Sequence, residues 1–201
     1  MKKYRRGCVK MNNIYGQYKS LRNSVWQILL DYNIKSLPVS ISHICKTANI
    51  TLLRDSDAKE LKEGEYGIAV CQGGKWYIIY DDTDTPQRIR FTTAHELGHI
   101  FLGHAMKNGY HTRKNNIVKP EDEIAADMFA ARLLAPACVL WGIGAQTAAE
   151  IAAVCNISIT AARIRAERLD LLRQRNAFLT SPLERDVYNH FKDYINNNRL
   201  H

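Results

Sequence analysis

The chain is poor in the features that would assign it to several large classes of protein. It has five cysteines, at positions 8, 45, 71, 138 and 155, scattered and never in a CxxC pair. That argues against both a disulfide framework and a thiolate zinc site, and leaves most of them as small core residues. No uninterrupted apolar run approaches the roughly 18 residues of a membrane span, and the basic start MKKYRRG leads into polar CVKMNNIYGQYKS rather than a signal-peptide apolar region. No membrane partner is expected, and the cytoplasm is the expected compartment. Internal repeats and low-complexity linkers are also missing.

What remains is 201 residues with 46% hydrophobic content, enough for a core, and a formal charge of +8. Such a charge invites a nucleic-acid reading. Five of the charges, however, are Lys2, Lys3, Arg5, Arg6 and Lys10, all before Met11, and without them the charge falls to +3. Residues 1–17 are therefore expected to be a basic leader. Codons for RRG can spell a ribosome-binding site at a suitable distance from Met11, so translation starting at Met11 is one expectation and a solvated basic tail the other.

The hydrophobic pattern predicts α+β architecture. Residues 18–32 place Leu21, Val25, Ile28, Leu29 and Tyr32 on one helical face, and Ser40 can cap a short helix carrying Ile41, Ile44 and Cys45. A strand is expected at 50–53, and YGIAV and KWYIIY flank the Gly73-Gly74 turn of a hairpin. A helix from about 86 to 104 follows, then a basic loop at 105–120. Next comes the helix EDEIAADMFAARLLAP, with Ile124, Met128, Ala131, Leu133 and Leu134 as candidate buried positions. Beyond Pro136, TAAEIAAVCNISITAARIRAERLDLLRQR reads as helix, turn at Asn156, and basic helix, and SPLERDVYNHFKDYI as a last helix capped by Ser181.

The chemistry is concentrated in TTAHELGHIFLGH. On a helix His95 and His99 lie one turn apart and can aim two imidazoles at one point, while Glu96 is rotated around the helix to where it can reach a metal-bound water. A catalytic zinc usually takes a third protein ligand and keeps a position for water. The spacing HExxHxxGxxH would supply a histidine, but this chain has Leu102 and Ala105 at the two decisive positions, so His104 is left as a packing or supporting residue. Downstream, Glu123 and Asp127 form ExxxD on one helix face. Glu123 is the expected third ligand and Asp127 the acceptor that fixes a ligand imidazole's tautomer. Glu96 is then the general base of peptide hydrolysis, and His104, Tyr110 and His111 are candidate oxyanion stabilisers or proton donors.

With these residues in view, the chain resembles the ImmA/IrrE family of zinc-dependent metallopeptidases. The resemblance runs from about Leu21 to Pro136 and rests on LPVSISHICKTANITLL, QRIRFTTAHELGHIFLGH and EDEIAADMFAARLLAP. It implies a zincin-like domain over 18–136, with a small β-sheet and an active-site helix, followed by a helical C-terminal part over 137–201. It also implies zinc held by His95, His99 and Glu123, with Glu96 as catalytic acid/base; manganese is the alternative ion. Many members carry an acid where this chain has Ala125, which leaves Glu123 as the acid in register. The family further implies a protein substrate, a helix-turn-helix repressor whose cleavage derepresses genes of a mobile element, prophage or stress response. The rival expectation is a DNA-binding or partner-binding module built on the 147–175 hairpin, through Arg163, Arg165, Arg168, Arg173 and Arg175.

Overall fold

Asn33, Asn49 and Asn156 each adopt positive φ, and with Gly73, Gly74 and Gly103 they mark where elements stop. Asparagine and glycine tolerate this left-handed region at little cost, so the chain reverses where they occur. The computed structural model describes residues 19–104, 110–114 and 121–200. The expected leader at 1–17, Met11 included, lies outside the described residues.

Helix α1 covers 19–31 and buries Leu21, Val25, Trp26, Ile28 and Leu29. Ser40 caps α2 (Ile41–Thr47), its Oγ accepting from the His43 N–H at 3.2 Å. Strand β1 (Ile50–Arg54) follows, and the polar segment after it begins with one short helical turn, α3 (Asp55–Ala58). Strands β2 (Glu65–Gln72) and β3 (Lys75–Tyr80) form the expected hairpin, with Gly73 and Gly74 at φ +58° and +75°. Two consecutive residues at positive φ match the twist of the flanking strands.

Helix α4 (Pro86–Phe101) lies against this sheet, with Pro86 in its first turn. The basic segment expected to be a loop contains strand β4 (Tyr110–Lys114), which pairs antiparallel with β2. Its polar composition hides the strand; the pairing covers a β2 edge that would otherwise present unsatisfied backbone groups. Among the described residues the sheet thus has four strands in the order β1-β3-β2-β4, with β1 parallel to β3 and the other pairs antiparallel.

Helix α5 (Glu121–Leu134) crosses α4, and α6 (Ala137–Gly142) follows Pro136. The stretch Glu121–Gly142 has the length of a membrane-crossing helix, and an 18-residue window within it reaches a mean hydropathy of 1.5, so apolarity here is greater than run length suggests. It carries Glu123, is interrupted at Pro136, and its Phe129, Leu133 and Leu134 are in the core. The buried face of α5 also differs from the expected one. Ile124 is 44% exposed and Ala131 is exposed, while Glu123, Ala126, Phe129 and Ala130 turn inward. Turning Glu123 toward α4 rotates its neighbour Ile124 outward, because adjacent residues are about 100° apart on a helix.

Helices α7 (Ala148–Cys155) and α8 (Ile159–Gln174) form the expected hairpin, with Asn156 in the left-handed conformation and Ser158 capping α8. The last helix, expected as one, is divided at Phe191 into α9 (Pro182–His190) and α10 (Lys192–Asn197). Phe191 is fully buried. One apolar cluster includes residues from Leu21 to Ile195 and takes in Ala94, Leu97, Phe129 and Ile151.

Candidate metal centre

Two glycines let the elements that carry the polar residues approach each other. A Cβ at Gly98, in the middle of α4, would lie 3.0–3.3 Å from Phe129 atoms on α5, and a Cβ at Gly67 on β2 would collide with the methyl of Thr92 on α4. Helix-interior glycine costs about 1 kcal/mol relative to alanine, so its presence marks close contact. Sequence reasoning passed over both residues, although a glycine inside HELGH is the kind of signal that could have drawn attention.

At the crossing, His95 and His99 are completely buried and Glu123 is 7% exposed. His95 Nε2 and His99 Nε2 are 3.0 Å apart. Glu123 reaches both, with Oε2 3.3 Å from His95 Nε2 and Oε1 3.3 Å from His99 Nε2. On the far side of its ring, His95 Nδ1 lies 2.9 Å from Asp127 Oδ1. An ionised carboxylate only accepts, so Nδ1–H donates to Asp127 and the Nε2 lone pair faces the cluster. Thus α4 contributes two imidazoles one turn apart, and α5 contributes a carboxylate for the cluster and, one turn on, a carboxylate that orients one imidazole.

This arrangement fits a small divalent cation. A tetrahedral ion with bonds of about 2.0–2.1 Å holds its ligand atoms roughly 3.3 Å apart; here the two Nε2 atoms are 3.0 Å apart, and each lies 3.3 Å from one oxygen of the Glu123 carboxylate. The donor set, two neutral imidazoles and a carboxylate, is one that suits zinc. Three ionisable side chains gathered away from water would otherwise be costly, and a shared cation relieves that cost. His95, His99 and Glu123 can therefore hold a metal ion. Thiolates are poor rivals, because burial pushes Cys45, Cys138 and Cys155 up to about 12.

The other residues singled out in the sequence are placed as follows. Glu96 is fully buried on α4, on the side where Gly67 leaves space; a Cβ on that glycine would be 3.4 Å from Glu96 Cγ. His104 lies beyond the end of α4, not within it, and its Nδ1 is 3.1 Å from His99 Nδ1. Tyr110 and His111 stand on β4 opposite Val70 and Ala69.

The arginines of α8 divide into two sets. Arg165 Nε donates to the Ala135 carbonyl at 2.7 Å, just past the end of α5, and Arg173 donates to the Ala145 carbonyl and to Asp170. Burial lowers Arg165 to about 10, which leaves it charged at neutral pH. Arg163, Arg168 and Arg175 are exposed. The expected basic face therefore has only part of its charge turned outward, because cations are drawn to helix C-terminal carbonyls. On α4, Arg90 does the same for α7, donating to the carbonyls of Cys155 and Asn156 at 3.3 and 3.2 Å.

Residues 45–167, more than half of the chain, match a family of peptidases, M78, described as the IrrE N-terminal-like domain. No curated protein sequence matches the chain.

Proposed function

The chain belongs to the IrrE N-terminal-like family of M78 peptidases, and from that premise we propose that it is a zinc-dependent endopeptidase. The observation that carries the reading is the convergence of His95 Nε2, His99 Nε2 and the Glu123 carboxylate at 3.0–3.3 Å. When bound, zinc lowers the pKa of a water toward about 7 and polarises the scissile carbonyl; manganese is the alternative ion.

The residues divide the remaining work. His95, held by Asp127, and His99 present neutral nitrogens, and Glu123 adds the negative charge that partly offsets a divalent cation. Glu96, next in sequence to His95 and rotated around α4, takes the proton from the attacking water and passes it to the leaving amine. Its burial keeps competing bulk water from the carboxylate. Tyr110 and His111 on β4 remain candidates to stabilise the oxyanion or donate a proton.

The family resemblance supports a protein substrate, a helix-turn-helix repressor whose cleavage in the cytoplasm derepresses the genes it controls. The experiment pairs wild type with Glu96→Gln, each incubated with zinc and with the repressor encoded nearest the gene. Cleavage by wild type and its loss in the variant, with zinc retained by both, is the expected result. Equal cleavage by both, or none by the zinc-loaded wild type, contradicts the reading. DNA binding through α8 is less well supported, because Arg165 and Arg173 are engaged with backbone carbonyls.

A further inference from the structure

The end of α4 is built from the sequence HIFLGH, residues 99–104. Leu102 is the C-cap, and Gly103, at φ +75°, takes the left-handed position that follows it. The Gly103 N–H donates to the Ile100 carbonyl at 3.1 Å and the His104 N–H to the His99 carbonyl at 3.0 Å. These two bonds are the Schellman pattern, which folds the second residue after the cap back over the third residue from the helix end. In Schellman motifs that meeting is frequently an apolar contact. Here the two residues that meet are histidines, with ring centroids 5.2 Å apart and Nδ1 atoms at 3.1 Å.

The geometry also decides which side of His99 is involved. His99 Nε2 faces His95 and Glu123, so Nδ1, on the opposite side of the ring, is the atom that His104 meets. His104 is therefore placed where it cannot join the ligand cluster but can orient one of its members. Its own Nε2 lies 3.5 Å from Asp122 Oδ1, in the first turn of α5. A neutral imidazole offers one donor and one acceptor, so a single tautomer satisfies both contacts: Nδ1 accepts from His99 and Nε2–H is directed at Asp122.

We propose that the Schellman cap of α4 is part of the metal centre, with His104 as a positioning residue that accepts the His99 Nδ1–H and so directs the His99 Nε2 lone pair toward the ion. This rests on the reading of His95, His99 and Glu123 as ligands. Its content is distinct, because it assigns the two ligand imidazoles different supports. His95 is oriented by a carboxylate directly, and His99 by an imidazole that has a carboxylate behind it. The stop signal of the helix and the orientation of a ligand are then one device, with Gly103 as its pivot.

The test uses Co2+ as probe, followed through its visible absorption bands, together with the melting temperature of the metal-free chain. His104→Leu keeps an apolar residue at the folded-back position, as in an ordinary cap, but offers no acceptor. His104→Gln restores an acceptor. Loss of a supporting partner typically lowers metal affinity by about 10- to 100-fold. We expect that loss in His104→Leu, with altered Co2+ bands and an unchanged melting temperature of the metal-free chain, and recovery of most of the affinity in His104→Gln. Wild-type Co2+ affinity and bands in His104→Leu would overturn the proposal while leaving the ligand reading intact. Affinity that falls only in step with the melting temperature of the metal-free chain would also overturn it, since His104 would then act through folding. If the wild type itself binds no Co2+, the ligand reading fails and the proposal fails with it.

Discussion

The α4/α5 crossing and the α7/α8 hairpin both bring polar and charged residues together with an apolar core, and they do so in opposite ways. At the crossing, side chains face side chains: two imidazoles and a carboxylate converge, with further polar groups behind them. In the hairpin, arginines face backbone: Arg165 and Arg173 turn toward carbonyls past the ends of α5 and α6, while Arg90 reaches from α4 to the end of α7. A converging set of ligand atoms leaves room for something the chain does not supply. A cation on a carbonyl is already satisfied. Residue type alone does not separate these cases, and the direction of the side chain does.

The largest effects should come from the crossing. Glu96→Gln should lower peptide hydrolysis by about 10²- to 10⁴-fold, the range for loss of a general base, with metal content unchanged. Steady-state rates on the proposed repressor substrate, beside metal analysis, check this. Activity and metal lost together would place Glu96 among the ligands and blur the division of labour at the site.

Packing effects come next. Gly67→Ala puts a methyl where the Thr92 methyl already is, and β2 must move away from α4. A destabilisation of about 1–3 kcal/mol, typical of overpacking, is expected in urea unfolding. Unchanged stability would show that the close approach of sheet and helix is not required.

The hairpin supplies a paired comparison. Arg165→Ala leaves the Ala135 carbonyl without its donor and should cost about 1–3 kcal/mol. Arg168→Ala, on the exposed face, should stay within about 0.5 kcal/mol. If Arg165→Ala is neutral for stability but abolishes binding to a DNA duplex, the hairpin is an interaction surface and the contrast with the crossing collapses.

The last effect appears only above neutral pH. Burial raises Cys45, Cys138 and Cys155 to about 12, so the folded chain holds these thiols protonated where an unfolded chain would ionise them. Their contribution is complete below the ordinary thiol range and is lost as pH rises through it toward 12. Thermal stability should fall as pH rises from about 9 toward about 12, less steeply in Cys155→Ala. A thiol reagent at neutral pH should label exposed Cys71 while leaving the three buried cysteines intact.

Much of this architecture was legible in the chain because local signals were strong. Gly73-Gly74 marked the hairpin, Ser40 marked the start of α2, and the 95/99 spacing put two imidazoles on one face. Glu123 and Asp127 were legible as a pair one turn apart. The misses have a common cause, since each depends on a neighbour that the local sequence does not contain. Strand β4 exists because β2 has an edge to fill, and its polar residues gave no periodicity to read. Ile124 looked like core until the inward turn of Glu123 rotated it out. Gly67 and Gly98 matter only through what crosses them, and His104 was resolved only when Gly103 ended α4 before it.

The central claim is that His95, His99 and Glu123 hold one metal ion, and the most direct measurement is metal stoichiometry. Wild type, Glu96→Gln, His95→Ala and Glu123→Ala, each stripped with chelator, are dialysed against zinc and analysed by mass spectrometry for bound metal. The account predicts one zinc per chain in wild type and Glu96→Gln, and strongly reduced binding in the other two. A wild type that stays metal-free, or a Glu123→Ala variant that binds zinc as tightly as wild type, would contradict it.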